Sequence, residues 1–407
     1  MRINLTVGID TLFMAMLIAL TVYGAKFPHT SFPIYYVLLP LCVLYALNGI
    51  GREEFGEFFS ENTRRTVWCW VLISLYAIIL MPFTADNGIN WNTIYYVFCL
   101  GISSYVYCYY MINHPDGIKI VLKCFFFISV LIALFGWYEA ITGNIINKTA
   151  GSYFYRKNFL GLNYPNTIFY NINDHAVFMS FAFVIGMLYA EQSIHKKVIQ
   201  ILCWGLFVAN VILVDSRGAE IFVVVFCTTF VLAYQKWKKA IMIMGFALVV
   251  ILMISPVIMD TSLLSMVISE SGRKEIWSNV FLNIKNSYFM GVGAGNSVRV
   301  NQLLNSSIIS NVHSFFFEIF EDYGIVGFVL SLVWYIGAVI NSYRIIHLNN
   351  EMRIVFAGLL GFFPLSIVSS SLVGKPCLIP FIAIITAVIN YYQILYMYDD
   401  ETEVAEE

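Results

Sequence analysis

Four short stretches hold the residue types that do chemistry. Asp215-Ser216-Arg217-Gly218-Ala219-Glu220 sets an arginine between two carboxylates. Ser271-Gly272-Arg273-Lys274-Glu275-Ile276-Trp277 sets a second arginine one helical turn before a tryptophan, and Gly291-Val292-Gly293-Ala294-Gly295-Asn296 follows it. Asn311-Val312-His313-Ser314 leads into an apolar run that still carries Glu318, Glu321 and Asp322 before Gly324. Asn171-Ile172-Asn173-Asp174-His175-Ala176 is rich in amide side chains. A guanidinium is planar and permanently charged, and its fork matches phosphate oxygens. A histidine with an ordinary pKa near ~6.5 can take a proton from an attacking hydroxyl or bind an anion when charged. Asparagine amides hydrogen-bond hydroxyl groups. The ligand these residues suit is phosphate-bearing and hydroxylated. The chain has no Asp-x-Asp and no His-x-x-x-His. No metal site is indicated, and phosphate charge would fall to the arginines.

Each stretch also has a plain structural reading. Arg217 can snorkel at a span end and pair with Asp215 or Glu220. Asparagines cap helices and make turns, and a lone histidine usually packs. The glycine run is not a nucleotide loop, because no strand precedes it and no βαβ unit follows. It fits a tight turn close to a ligand or to the membrane surface. Ser310 or Asn311 is the expected N-cap of the helix that follows, which would put His313 in a first turn whose free N–H groups favour an anion. Phe316, Phe317 and Phe320 would share one face of it.

The elements that must position these residues are membrane spans. Of 407 residues, 59% are hydrophobic and 12% charged, against about 45–50% and about 25% in soluble domains. Apolar runs such as 67–83, 120–138, 198–214 and 240–258 are long enough to cross a hydrocarbon core of ~30 Å. In lipid every backbone polar group must be bonded within its segment, so the runs are helices. They lack the alternation of a β-barrel. The expected fold is therefore all-α and polytopic, with about 12 transmembrane helices near 8–25, 32–50, 67–84, 93–112, 120–141, 174–190, 198–214, 219–235, 240–259, 324–343, 354–373 and 377–397. Asp10 interrupts the first apolar region and no cleavage site follows, so it reads as a span and not as a signal peptide. The cysteines lie in or beside apolar runs with no Cys-x-x-Cys, and read as packing residues.

Lys and Arg orient the spans. With the N-terminus inside, the inner segments hold Arg2, Arg52, Arg64, Arg65, Lys119, Lys123, Lys196, Lys197, Lys236, Lys238, Lys239, Arg344 and Arg353, while the short outer loops hold only Lys26, Arg217 and Lys375. Residues 1–259 then carry nine spans and an outer segment at 142–173. A large extracytoplasmic loop at 260–323 precedes the tenth span, residues 324–398 carry three more, and 399–407 form an acidic cytoplasmic tail. The two outer segments hold Lys148, Arg156, Lys157, Arg273, Lys274, Lys285 and Arg299, which orientation does not require. Chemistry is expected on that face. A net charge of −2 indicates no nucleic-acid partner.

Taken in order, Ser216-Arg217-Gly218-Ala219, then Gly272-Arg273 with Trp277 and Gly291-x-Gly293-x-Gly295-Asn296, then His313 with Asp322, Gly324 and Gly327, resemble the signatures of the O-antigen ligase and polymerase superfamily of bacterial envelopes. Asn173-Asp174-His175-Ala176 is similar to the Asn-Asp-x-Ala of teichuronic-acid-type polymerases. The resemblance covers roughly residues 160–330. Two positions depart from it: Ser314 stands where Asn is frequent, and Asp322 where Glu is frequent.

The resemblance implies a cytoplasmic (inner) membrane glycosyltransferase, without cofactor or metal, whose active site is on the outer face. The implied partners are an undecaprenyl-diphosphate-linked glycan donor, a glycan or lipid acceptor and membrane lipid, with a flippase and a chain-length regulator beside them. Arg217, Arg273 and His313 are the expected catalytic residues. Arg156, Asn171, Asn173, Asp174, Trp277, Asn296, Arg299 and Glu318 are the expected substrate-binding residues. The expected activity is polymerisation of lipid-linked repeat units. The alternatives are a ligase handing finished glycan to a lipid or protein, and a transporter or flippase. The last would call for paired intramembrane charges or inverted repeats, and the spans hold only Asp10, Glu139 and residues near their ends. A non-catalytic assembly protein would leave the outer Arg and His set without a role.

Overall fold

The computed structural model describes residues 5–23, 37, 40–44, 59–84, 91–114, 116–146, 157–158, 160–169, 171–233, 273–304, 312–367, 373 and 375–406, with backbone alone at 5–10, 273–275, 304 and 397–406. Among these the structure is helical. Its helices are α1 Leu5–Tyr23, α2 Glu61–Leu80, α3 Trp91–Asn113, α4 Gly117–Thr142, α5 Ile172–Glu191, α6 Lys196–Val214, α7 Arg217–Leu232, α8 Arg273–Asn286, α9 Ser297–Leu304, α10 Phe315–Arg344, α11 Asn350–Ser366 and α12 Leu378–Glu406. The one extended pairing among the described residues is an antiparallel bridge between Lys157 and Asn163.

Six described helices are long and apolar enough to cross a membrane: Glu61–Phe83, Gly117–Thr142, Ile172–Glu191, Lys196–Val214, Phe315–Arg344 and Leu378–Tyr396. The expected span at 240–259 lies outside the described residues, as does most of 32–50. The expected outer loop is partly helical, since α8 and α9 lie within 260–323. The expected tail at 399–407 continues α12 as far as Glu406.

Two helices form the interior. The apolar window of α5 is 89% buried and that of α12 is 78% buried, against 39–44% for the other four. Phe181 of α5 stacks on Phe381 of α12 with centroids 4.0 Å apart. The outer helices turn bulky apolar side chains outward, such as Phe127, Leu131, Leu134, Phe135 and Tyr138 on α4 and Ile325, Val329, Ile336 and Ile340 on α10. A face of this kind belongs against lipid, where exposing it costs nothing.

Polar contacts gather at the two ends of the bundle. At one end, Asn390 accepts from Ser60 N at 2.7 Å and from the Thr63 hydroxyl at 2.8 Å, Asn341 donates to Asn62 at 3.1 Å, and Gln192 donates to Glu351 at 2.9 Å. At the other, Lys375 pairs with Asp174, Val373 N–H meets Glu318, and Thr84 packs on Gly293. The first set joins segments that the charge count assigns to one side, and the second set joins those it assigns to the opposite side.

Candidate functional site

The helix that follows His313 starts three or four residues later than its sequence suggests. Ser314 is the N-cap of α10, its hydroxyl accepting from Phe317 N at 3.5 Å. His313 precedes the cap with φ 51°, outside the first turn where it was expected. Left-handed backbone breaks the helical path, so the hydroxyl of Ser314, and not Ser310 or Asn311, ends the loop. His313 is half-buried. The phenylalanines divide between two faces. Phe316 packs on Tyr335 and Phe363, while Phe317 and Phe320 meet Phe281 of α8.

A kink lies within α10. Gly324 has φ 61° and ψ −160°, and a Cβ there would stand 2.3 Å from the carbonyl oxygen of Phe289. The expected tenth span at 324–343 is the second limb of this helix, and a shorter first limb runs from Phe315 to the kink. The glycine run wraps the kink. Val292 N–H donates to Glu321 O at 2.8 Å and Gly293 N–H to Asp322 O at 3.0 Å. Gly291 and Gly293 hold φ of 97° and 98°, and a Cβ on Gly291 would lie 2.5 Å from Gly324 N. These glycines allow a close approach to the protein's own backbone, where the sequence pointed to a ligand or the membrane surface.

Two neighbouring carboxylates lock the unit. Asp322, fully buried, accepts from Gly295 N at 2.9 Å and Ser297 N at 3.0 Å, which satisfies the start of α9. Glu321, fully buried, accepts from Asn283 of α8 at 2.6 Å and Asn301 of α9 at 3.2 Å. Buried charge needs such partners. Asn283 and Asn301 build the site without having stood out in the sequence, and Glu321 stood out only by its residue type. Their signal is an acid pair, Glu321-Asp322, in an otherwise apolar helix.

The second arginine begins α8, and its side chain lies outside the described residues. One turn on, Trp277 donates its indole N–H to Val312 O at 3.2 Å and meets Phe317 edge-on at 5.3 Å. The start of α8 is thereby fixed beside the loop residue that precedes His313. Asn296 donates its amide to Val292 O at 3.1 Å, within the glycine turn. Arg299 is exposed on α9, and Arg156 lies outside the described residues.

The turn before α12 joins two other candidates. Lys375 Nζ pairs with Asp174 Oδ2 at 2.5 Å, and Val373 N–H donates to Glu318 Oε2 at 3.4 Å. Asp174 is 2% and Glu318 6% exposed, so this turn connects the start of α5 to the first limb of α10. Asn171 caps α5, accepting from Asn173 N at 2.9 Å. His175 faces inward and is fully buried. It joins a polar chain inside the bundle. Arg217, exposed, is the first residue of α7, and its charge and that of Asp215 both act on Glu220. Among the described residues no group of three or more His, Cys, Asp or Glu side chains could hold a metal ion.

Residues 202–332 match the family model described as O-Antigen ligase. The match supports, for this stretch, the resemblance to the O-antigen ligase and polymerase superfamily. The stretch contains Arg217, Arg273 and His313 together with α8, the glycine turn, α9 and the kinked limb of α10. No curated protein matches the chain.

Proposed function

We propose that the protein joins undecaprenyl-diphosphate-linked repeat units into a polysaccharide at the outer face of the bacterial cytoplasmic membrane. What carries this reading is one coincidence. The O-antigen ligase match at 202–332 contains all three candidate catalytic residues, and the helix beginning at Arg273 is tied through Trp277 to the residue before His313. Two more features support it. Asp174 and Glu318 approach the same turn, and the polar contacts at that end join segments that the charge count places outside.

In the proposed reaction an acceptor hydroxyl attacks the anomeric carbon of the lipid-linked glycan. The new bond forms from the hydroxyl oxygen to that carbon, and the bond to the diphosphate oxygen breaks. The electron pair leaves on the diphosphate, where Arg217 and Arg273 balance the growing charge. The hydroxyl proton passes to His313. The reaction inverts the anomeric configuration and needs no metal. A flippase that delivers donor and a chain-length regulator fit this reading.

The test supplies membranes with lipid-linked repeat units and follows polymer length on a gel. Loss of one preorganised contact to developing charge typically lowers the rate about 10²–10³-fold. We expect losses of that order for Arg217→Ala and Arg273→Ala, and partial loss for Arg→Lys, which keeps the charge without the fork. His313→Ala is expected to stop transfer with donor binding retained. Weakened donor binding would instead make His313 a diphosphate ligand. Chelator is expected to leave the rate unchanged, and strong inhibition would overturn the metal-free step. Full-length polymer from Arg217→Ala or His313→Ala at normal expression would overturn the mechanism.

A second reading is favoured by the family description itself, O-Antigen ligase. In it the same chemistry hands a finished glycan to a lipid or protein acceptor. Growth of lipid-linked material by whole repeats in the assay supports the polymerase. Transfer only to an added foreign acceptor supports the ligase.

A further inference from the structure

Asn158 is 5% exposed, and each of its polar atoms is engaged. Its backbone N–H donates to Leu162 O at 2.8 Å and its carbonyl accepts from Gly161 N at 2.9 Å. Its Oδ1 accepts from Leu160 N and Leu162 N, each at 3.0 Å. Its Nδ2 then reaches across to Leu213 O at 2.9 Å. Leu213 lies in the last turn of α6, where carbonyls have no partner within the helix. Asn158 therefore caps the end of α6 from another part of the chain. The next residues are Asp215, which reverses the chain at φ 54°, Ser216, and Arg217.

The segment that carries Asn158 is itself anchored inside the bundle. Glu139, fully buried near the end of α4, accepts from Ile146 N at 2.7 Å, Asn166 N at 2.9 Å and Thr167 N at 2.7 Å. Asn163 donates both its backbone and its side-chain N–H to Ala140 O, at 3.1 and 3.2 Å. The Thr167 hydroxyl lies 3.1 Å from His175 Nδ1, and His175 Nε2 lies 3.0 Å from Asn210 Oδ1. The Asn210 amide nitrogen donates to Leu206 O at 2.7 Å and Ala133 O at 3.2 Å. Asn210 Oδ1 is thus an acceptor, His175 carries its proton on Nε2, and Thr167 donates to Nδ1.

Asn210 follows a π-helical stretch of α6, Cys203–Val208, and such a stretch rotates what comes after it. The space between α4 and α6 is shaped for the contact: a Cβ on Gly136 would stand 2.3 Å from Asn210 Oδ1. The segment therefore reaches α6 at two places, directly at Leu213 and through His175 of α5 at Asn210. The contact at Asn210 sets its rotation and the contact at Leu213 sets its end. Both lie just before the reversal that presents Arg217.

We infer that Asn158, backed by the buried chain Glu139–Thr167–His175–Asn210, is a positioning residue for Arg217. This rests on the reading of Arg217 as a diphosphate ligand given above. The network touches no reacting atom and acts only through where α6 ends.

The test is a double-mutant cycle in membranes supplied with lipid-linked repeat units, with rates normalised to folded protein. A displacement of about 1 Å at a reacting contact can cost on the order of 100-fold. Asn158→Ala is expected to lower the rate about 10–100-fold in the parent and at most about twofold in an Arg217→Lys background. Equal losses in both backgrounds, or no loss in the parent, would overturn the inference.

A second measurement does not depend on activity. Arg217→Cys is labelled with an impermeant thiol reagent, with the parent as blank. Adding Asn158→Ala is expected to change the labelling rate at 217 several-fold, and an unchanged rate counts against the inference. Where Asn158→Ala does not fold, Thr167→Val removes one hydroxyl at nearly constant volume and is held to the same outcomes. Full activity of Arg217→Ala would end the diphosphate reading alone, because the labelling comparison still decides whether the network places residue 217.

Discussion

Trp277 donates its indole N–H to the carbonyl oxygen of Val312 at 3.2 Å, and its ring meets Phe317 edge-on at 5.3 Å. The two contacts fall on either side of His313 and Ser314, where a left-handed residue gives way to the cap of α10. The helix that begins at Arg273 is thereby held to the chain before and after His313. A tryptophan suits this place because it combines one donor with a large apolar body.

Trp277→Phe keeps the aromatic contact and removes the donor. A neutral hydrogen bond contributes about 1 kcal/mol, so transfer is expected to fall roughly fivefold at unchanged expression. Trp277→Ala also removes the contact with Phe317, and is expected to fall at least tenfold further. The check is the initial rate of polymer formation with lipid-linked repeat units. Equal rates for Trp277→Phe and the parent would remove this bond from the assembly of the site.

The apolar runs and the three signatures were legible in the sequence because each depends on local pattern. The pairs Asn390–Thr63 and Lys375–Asp174, at opposite ends of the bundle, each join loop ends that the charge count assigns to one side. What pattern could not reach was partnership across the chain. Glu321 shows no partner in its own helix, and its bonds go to Asn283 and Asn301 on two others. His175 sits beside candidate residues in sequence, yet helical rotation turns it inward to Asn210 while Asp174, the residue before it, turns to Lys375. The start of α10 was misplaced for a local reason: Ser310, Asn311 and Ser314 all have capping side chains, and only the backbone at His313 decides between them.

The sidedness of the bundle is open to direct test. Ile194, 92% exposed, adjoins the end where Gln192 meets Glu351, and Leu303, 75% exposed, lies on α9 beyond the glycine turn. The distribution of Lys and Arg puts the first inside and the second outside. In intact cells an impermeant thiol reagent is expected to label Leu303→Cys and spare Ile194→Cys, measured against the parent with its native cysteines. The reverse result would place the candidate site on the cytoplasmic face and end the proposed use of an outward-facing donor.

The turn around the kink is a stability element. Gly291 holds φ 97°, and an added Cβ would lie 2.5 Å from Gly324 N and 2.7 Å from Asp322 O, both backbone atoms. Backbone at that distance cannot rotate away as a side chain would. Gly291→Ala combines left-handed strain of about 1–2 kcal/mol with this clash. It is expected to lower both the yield of folded protein and its Tm in detergent by more than Gly205→Ala, where an added Cβ meets nothing within 4 Å. A Tm for Gly291→Ala equal to that of Gly205→Ala would show that the turn can open without cost.

The Lys375–Asp174 pair should behave as a buried ion pair on one side only. Asp174 is 2% exposed and the Lys375 side chain 23%, so the carboxylate has lost nearly all contact with water while the ammonium keeps some. Asp174 Oδ1 has no hydrogen-bond partner among the described residues, so Lys375 is its main source of compensation. Removing one partner of a fully buried pair costs about 3–5 kcal/mol, because the other charge is left alone. The part-exposed lysine lowers that figure to roughly 2–3 kcal/mol here. Lys375→Met strands Asp174 and is expected to lower Tm by several degrees. Asp174→Asn leaves the more exposed partner and is expected to cost less. The double variant Asp174→Asn/Lys375→Met removes both charges and should recover most of the loss, since replacing a buried pair by uncharged groups is often nearly neutral. Thermal unfolding in detergent with a binding-independent probe reads all three. Additive losses in the double variant would mean that the two residues act separately, and that the turn before α12 is held to α5 by something other than this pair.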